Sequence, residues 1–311
     1  MCVSRSLPAR PAALATLAGL AAILLWSTSV ALGRSIAEQV GPLNAGAAVY
    51  CFGGVAMVVW QAARRPAVLP AMLHLPPGYL LGCGGLFVFY TATFFLALGL
   101  AENAAQTLVV GLVNYLWPVL TVVLSIPILK ARARWLLWPG TVVAVVGVVS
   151  VVISGQGVTL SSLPATFAAS QGAFGFALAA AISWALYSNL ARRCAGASAV
   201  GAVPLFVLAS GLVLLAVRVL RPEAGVWSPR VLAETGFMGL NVAISYACWD
   251  KAMRQGNMLL VAACSYLTPL LSTLACLAYL KVVPAPGLWL GCLALVAGSL
   301  ASWHAVDDGP E

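Results

Sequence analysis

The sequence predicts an all-α integral membrane protein of ten transmembrane helices built as two inverted five-helix repeats. Three observations lead there. Apolar runs of about twenty residues, the length a helix needs to cross the hydrocarbon core, recur between short charged or proline-containing breaks. Charged side chains are 8% of the 311 residues and hydrophobic ones 62%, with a mean hydropathy of +1.00, whereas a soluble domain is about a quarter charged. The second half of the chain also repeats the first in register. With so few polar groups a soluble fold could not cover its own surface, so lipid must be the solvent. The runs are continuous rather than alternating with period two, which argues against a transmembrane β-barrel.

In chain order, the runs place helices at Ala12–Gly33, Asn44–Ala62, Gly78–Leu100, Ala104–Ile126, Leu136–Ser154, Gly172–Leu190, Val200–Val217, Val231–Trp249, Met258–Leu280 and Gly287–Trp303. Arg5 and Arg10 before the first run, with Ser29-Val30-Ala31 near its end, imitate a secretory leader. The run is long for a leader and has a counterpart later in the chain, so it reads as a signal anchor. With the N-terminus in the cytoplasm, the inner segments hold Arg5, Arg10, Arg64, Arg65, Lys130, Arg132, Arg134, Arg192, Arg193, Lys251 and Arg254. The outer ones hold Arg34, Arg218, Arg221, Arg230 and Lys281. By the positive-inside rule, 11 against 5 puts both termini in the cytoplasm. The net charge of +8 is thus a topology signal and not a nucleic-acid-binding surface, because the basic residues stand singly or in pairs. The eight cysteines show no C-x-x-C spacing and read as small packing residues.

The repeat is clearest at an offset of 151 residues, where Tyr115-Leu116-Trp117-Pro118-Val119-Leu120 meets Tyr266-Leu267-Thr268-Pro269-Leu270-Leu271. Without a gap, Lys130 then meets Lys281, Trp138 meets Trp289, Gly140 meets Gly291 and Gly147 meets Gly298. Upstream, Trp26 and Arg34 pair with Trp184 and Arg192, and Arg65-Pro66 with Arg221-Pro222. Chance matches of Leu and Val are common in apolar sequence, but Tyr, Pro, Lys, Trp and Gly in register are not. Two units follow, residues 12–154 and 172–304, joined by the uncharged segment 154–171. Because each has an odd number of spans, the second enters the membrane from the opposite side, an arrangement common among transporters.

Pro118 and Pro269 fall mid-helix at equivalent positions, where each removes a backbone hydrogen bond; they read as static kinks or as moving hinges, with the symmetry favouring hinges. Asn114, Trp117 and Thr121 share one helical face, as do Ser265, Thr268 and Ser272 in the other half, and Asn241, Ser245 and Trp249 in the eighth span. Polar stripes are unfavourable against lipid, so these should face the bundle interior, as interhelical hydrogen bonds or as cavity lining. Phe87, Tyr90, Phe94 and Ala97 form an aromatic face in the third span. The entry helices add Trp26 with Ser27, and Trp184 with Tyr187 and Ser188. Trp60, Trp135, Trp138, Trp289 and Trp303 lie at span ends and suit an interfacial belt. Gly78, Gly82, Gly85, Gly140 and Gly147 are expected to be close-packing positions.

No Asp, Glu, Lys or Arg lies near the centre of a span, which favours a substrate neutral overall over a fixed anion or cation. Asp250 beside Lys251, near a helix end, is expected to be an ordinary interfacial ion pair, with a gate or proton site as the alternative. There is no H-E-x-x-H, no G-x-S-x-G and no phosphate-binding glycine loop, so an enzyme is not expected, and neither is a cofactor or metal.

The 5+5 duplication with Trp26-Ser27 in the first span resembles the drug/metabolite transporter superfamily of EamA type. Asn114-Tyr115-Leu116-Trp117-Pro118, Tyr246-Ala247-Cys248-Trp249 and Gly256-Asn257-Met258 are similar to the bacterial aromatic amino acid exporters within it. The resemblance implies a bacterial inner-membrane exporter whose partners are lipid and a small neutral substrate, aromatic and other neutral amino acids; the aromatic and polar faces suit a substrate with an apolar body and a polar end. It would work by alternating access through a cavity between the repeats. The residues expected to line that cavity are Trp26, Ser27, Tyr90, Phe94, Asn114, Tyr115, Trp117, Trp184, Tyr187, Ser188, Asn241, Ser245, Trp249, Ser265 and Tyr266. Efflux of cationic amphiphiles such as quaternary amines, resting on aromatic faces, is the alternative.

Overall fold

The computed structural model describes residues 9–156, 161, 163–195, 201–280 and 286–307, and they are nearly all helical. α1 (Ala9–Val40) turns into α2 (Pro42–Arg64) through Gly41, whose φ of 87° suits a residue without Cβ, and proline opens the second helix. α3 (Val68–Leu73) is short; a π-helical stretch, Gly78–Cys83, then leads into α4 (Gly84–Leu100). α5 (Ala104–Asn114) and α6 (Trp117–Leu129) are one apolar run broken at Tyr115–Leu116. β1 (Arg132–Ala133), α7 (Leu137–Gln156) and α8 (Leu163–Ala169) follow. After them come α9 (Gln171–Ala195), α10 (Val203–Leu220) and α11 (Pro229–Gln255). α12 (Met258–Cys264) and α13 (Leu267–Leu280) repeat the broken pattern before α14 (Pro286–His304) and β2 (Val306–Asp307). The Asn103 side chain caps α5 by accepting from Gln106 N at 2.9 Å, and Asn257 caps α12 by accepting from Leu260 N at 2.9 Å.

Among the described residues, six segments are long and apolar enough to cross a membrane: Pro42–Arg64, Gly78–Leu100, Val109–Leu129, Gln171–Cys194, Val203–Leu220 and Pro229–Gln255. Shorter apolar helices run over Pro11–Ser27, Leu137–Ser150 and Trp289–His304. Large apolar side chains such as Leu81, Val219 and Leu220 stand exposed around the bundle, as they must where the neighbour is lipid. The segment expected to be a plain linker contains α8. Arg5, Val200 and Lys281 lie outside the described residues.

Packing pairs α2 with α10 and α7 with α14; α1 lies on α11 as α4 lies on α9, and α6 on α9 as α13 on α1. The two strands pair antiparallel, with Arg132 opposite Asp307, while Asn257 N donates to Thr16 Oγ1 at 2.8 Å. The first turns of α1, the α6–α7 turn, the start of α12 and the end of α14 thus gather at one end, called the inner end after the charge distribution. At the opposite, outer end, Asn44 N donates to the Glu223 carboxylate at 2.9 Å, Val226 N to Gln39 O at 3.2 Å and Ser35 Oγ to Glu234 at 2.9 Å.

Glycine explains the closeness of α7 and α14. A Cβ on Gly147 would stand 2.5 Å from Leu295 N, one on Gly140 2.9 Å from Ser302 N, and one on Gly298 would collide with the backbone of Ala144. Gly78, Gly82 and Gly85 depart from expectation: a Cβ there meets no described atom within 4 Å, so they are not packing positions. Gly298→Val should therefore wedge the pair apart at a cost of about 1–3 kcal/mol, read as a lower thermal midpoint in detergent, while Gly85→Ala leaves the midpoint nearly unchanged.

Candidate functional site

Rings from both halves meet at the middle of the bundle. Trp26 on α1 lies 5.0 Å from Trp249, 5.6 Å from Tyr246, 5.9 Å from Trp184 and 6.4 Å from Trp117, centroid to centroid. Trp184 on α9 touches Tyr90 at 4.7 Å, Tyr187 at 5.1 Å and Phe87 at 5.7 Å. Most pairs are tilted or edge-on, the arrangements the ring quadrupole favours, each contributing about 0.5–1.5 kcal/mol beyond area burial. The local sequence explains the convergence. Trp26 and Trp184 occupy matching positions in the entry helices of the two halves, and Trp117 opens α6 where the helix restarts with Pro118 in its first turn. Pro269 likewise falls in the first turn of α13, after the break at Ser265–Tyr266, so neither proline stands mid-helix as expected: each begins a new helix, where a first-turn N–H has no intrahelical acceptor to lose.

Polar groups interrupt this cluster. Tyr50 and Tyr246 hydroxyls share a hydrogen bond of 2.5 Å, and the Tyr90 hydroxyl faces Asn114 and Tyr246. Asn241 Nδ2 donates to Leu25 O at 3.1 Å and ties α11 to α1. Asn114 Oδ1, Asn241 Oδ1 and Trp249 Nε1 are buried with no hydrogen-bond partner among the described residues, as are Tyr266 Oη, Thr268 Oγ1 and Ser272 Oγ. An unmet buried polar atom costs about 1–3 kcal/mol, so these are the groups a polar ligand or water would satisfy.

The expected faces do point inward: Asn114, Trp117, Thr121, Asn241, Ser245, Trp249, Ser265, Thr268 and Ser272 are all buried. Their hydroxyls are not all available. Ser27, Thr121, Ser188, Ser245 and Ser265 donate to carbonyls three or four residues back in their own helices, at 2.5–3.3 Å, which is the bonding of interior helix residues. Tyr115 and Tyr266 lie apart, packed with Val148, Leu270 and Leu295 against α7 and α14. Phe94 stacks on Tyr90 at 6.0 Å but belongs to an outer cluster with Val109 and Phe174. Phe87 of the expected aromatic face stands at the centre, and the structure adds Tyr50 and Tyr246.

Just inward of the rings, Asp250 departs from expectation. It does not pair with Lys251, which is exposed, but with Arg254, whose Nε donates to Asp250 Oδ2 at 2.7 Å. The pair is 2% and 7% exposed, and among the described residues these are the buried charges. Tyr79 Oη and Tyr187 Oη donate to Asp250 Oδ1 at 3.0 and 3.3 Å, and Tyr79 Oη accepts from Ala202 N at 3.3 Å. The i, i+4 spacing was the available signal: Arg254 lies on the face of Asp250, while Lys251 points about 100° away.

The sequence profile of the EamA-like transporter family matches residues 13–153. The chain is 32% identical to the aromatic amino acid exporter YddG of Escherichia coli, covering 95% of this chain and 98% of that one. Against YddG of Salmonella typhimurium it is 32% identical over 94% of this chain and 97% of the relative. The YddG of Ancylobacter novellus is also 32% identical, over 92% and 95%. One solved crystal structure superposes with a TM-score of 0.76 at 30% identity, covering 94% of this chain and 97% of the other.

Proposed function

The chain belongs to the EamA-like transporter family, and from that premise we propose that it exports aromatic and other neutral amino acids across the bacterial inner membrane. The relatives named above are aromatic amino acid exporters, and one observation in this chain carries the same reading: the central cluster of indole and phenol rings from both halves, bordered by buried amide oxygens and an indole N–H that have no partner among the described residues. Such a surface suits a substrate with a flat apolar body and a neutral polar end. We assign the binding surface to Trp26, Tyr90, Trp117, Trp184, Tyr187 and Trp249, with Asn114 and Asn241 at its edge.

The mechanism we propose is alternating access between residues 12–154 and 172–304, ten spans in two halves of opposite orientation with both termini in the cytoplasm. The paired contacts support it: α1 with α11 mirrors α4 with α9, as two copies related by a twofold axis in the membrane plane require. The matching breaks at Tyr115–Leu116 and Ser265–Tyr266, each followed by a proline, are the proposed hinges.

Flux of an amino acid panel into proteoliposomes, with and without a pH gradient, tests this. Saturable transport of phenylalanine, tyrosine and tryptophan is expected, and silence across the panel would refute the substrate class. Competition by a quaternary amine but not by phenylalanine would favour the cationic amphiphile reading. Trp117→Ala and Tyr90→Ala should each lower phenylalanine transport roughly three- to tenfold, from the loss of ring contacts worth about 0.5–1.5 kcal/mol, in protein that keeps its elution profile. An unchanged rate would make that residue packing alone.

A further inference from the structure

We infer that Asp250 and Arg254 are the inner-side head-group site for the substrate zwitterion, with Asp250 receiving its ammonium and Arg254 its carboxylate. This rests on the amino acid reading above and deepens it.

A buried ion pair is weak evidence for stability, since well-packed apolar residues often serve as well, and an ionisable residue within a membrane segment points to function. The surroundings say which function. Oδ2 of Asp250 holds Arg254 on its own helix, whereas Oδ1 is satisfied by hydroxyls from two other elements, Tyr79 in the π-helical stretch before α4 and Tyr187 on α9. Tyr79 is in turn held by Ala202 N at the start of α10. The backbone at Gly201 covers the pair so closely that a Cβ there would collide with Asp250 and stand 2.7 Å from Arg254 Nη2. An opening of the inner end that draws the start of α10 from α11 therefore uncovers the charges, and one that also moves the π-helical stretch and α9 strips Oδ1 of both its donors. Oδ1 then needs a new donor.

A free amino acid supplies one without leaving a charge unmatched. Its ammonium and carboxylate sit on one carbon, and the aspartate and arginine one helical turn apart present the complementary pair. Exchange of partners keeps the site neutral at every stage, whereas a cation or an anion alone leaves one member of the pair uncompensated. The position fits as well. The Tyr187 ring lies 5.1 Å from Trp184 and 5.3 Å from Phe87 while its hydroxyl reaches Asp250. A single tyrosine side chain thus bridges the ring cluster and the carboxylate, so a ligand whose ring lies among the rings has the carboxylate one side chain away. Trp249, adjacent to Asp250, stands in that cluster at 5.0 Å from Trp26.

The test is competition against labelled phenylalanine in proteoliposomes by phenylalanine, phenylalanine amide, which lacks the carboxylate, and 3-phenylpropionate, which lacks the ammonium. The wild type should favour the zwitterion by roughly tenfold or more over either, the scale of a lost charge-assisted hydrogen bond. Asp250→Asn should shift relative preference toward the phenylpropionate anion, and Arg254→Gln toward the amide cation. The double variant Asp250→Asn/Arg254→Gln, which leaves no buried charge, should lose head-group discrimination while keeping its preference for aromatic over aliphatic competitors. Equal competition by all three compounds in the wild type overturns the inference without needing any variant. So does a uniform loss for all three in the variants, the behaviour of a latch that only holds the inner end shut. Absence of phenylalanine transport by the wild type would instead refute the functional reading on which the inference rests.

Discussion

Trp184→Ala should abolish aromatic amino acid transport and destabilise the protein by about 3–5 kcal/mol, the usual cost of deleting a buried tryptophan side chain. Trp184 is 2% exposed and touches rings on α1, α4, α6 and α11 as well as Tyr187 of its own helix. Its loss opens a cavity lined by rings that lose a tilted or edge-on partner at once. Trp184→Phe should restore most of the stability, since one ring of the indole is kept, and should return measurable flux. Trp26 is the matching residue of the first half but is only partly buried, so Trp26→Ala should cost less stability than Trp184→Ala while impairing transport comparably. Thermal midpoints in detergent, read beside flux, separate the two effects. Equal midpoints for Trp184→Ala and wild type would contradict the packing described.

The second large effect is expected at the buried pair. Removing one partner by Asp250→Ala or Arg254→Ala leaves an uncompensated charge away from water and should cost about 3–5 kcal/mol. Asp250→Asn combined with Arg254→Gln removes both charges and leaves a carbonyl oxygen to accept from Tyr79 and Tyr187. It should cost far less than the sum of the losses from Asp250→Asn and Arg254→Gln measured singly, the signature of coupling in a double-mutant cycle. Additive losses would show that the two side chains do not depend on each other. Lys251→Ala, at an exposed position, should change stability by less than about 0.5 kcal/mol.

Much of the fold was legible because a membrane penalises polar groups so heavily. The stripes around Asn114, Ser265 and Asn241 could not face lipid, and the structure buries all three. The entry tryptophans were legible through the repeat, since Trp26 and Trp184 match while their neighbours drift. Position along a strip of sequence did less well where the third dimension decides. Glycine at 78, 82 and 85 looks the same as glycine at 140 and 147, yet a small residue only permits close approach, and none of the described residues makes use of the first three. Tyr115 and Tyr266 belong to the motif that carries the repeat, but the turns at those positions pack them against side chains of α7 and α14. Asp250 was matched to the basic residue beside it in the chain, although a helix brings together residues a turn apart. Tyr50 and Tyr246 gave little warning, because a tyrosine in an apolar run reads as bulk until its hydroxyl finds another.

Membrane sidedness of the segments between the second and third spans of each half tests the opposed orientation most directly. His74, exposed between α3 and the π-helical stretch, represents the first half, and Ala224, exposed between α10 and α11, the second. In a cysteine-free background that still transports, Ala224→Cys should react with a membrane-impermeant maleimide in intact cells, whereas His74→Cys should react only after permeabilisation. Reaction of both from the same side would contradict two halves of opposite orientation, and with them the shared site that opens to each compartment in turn.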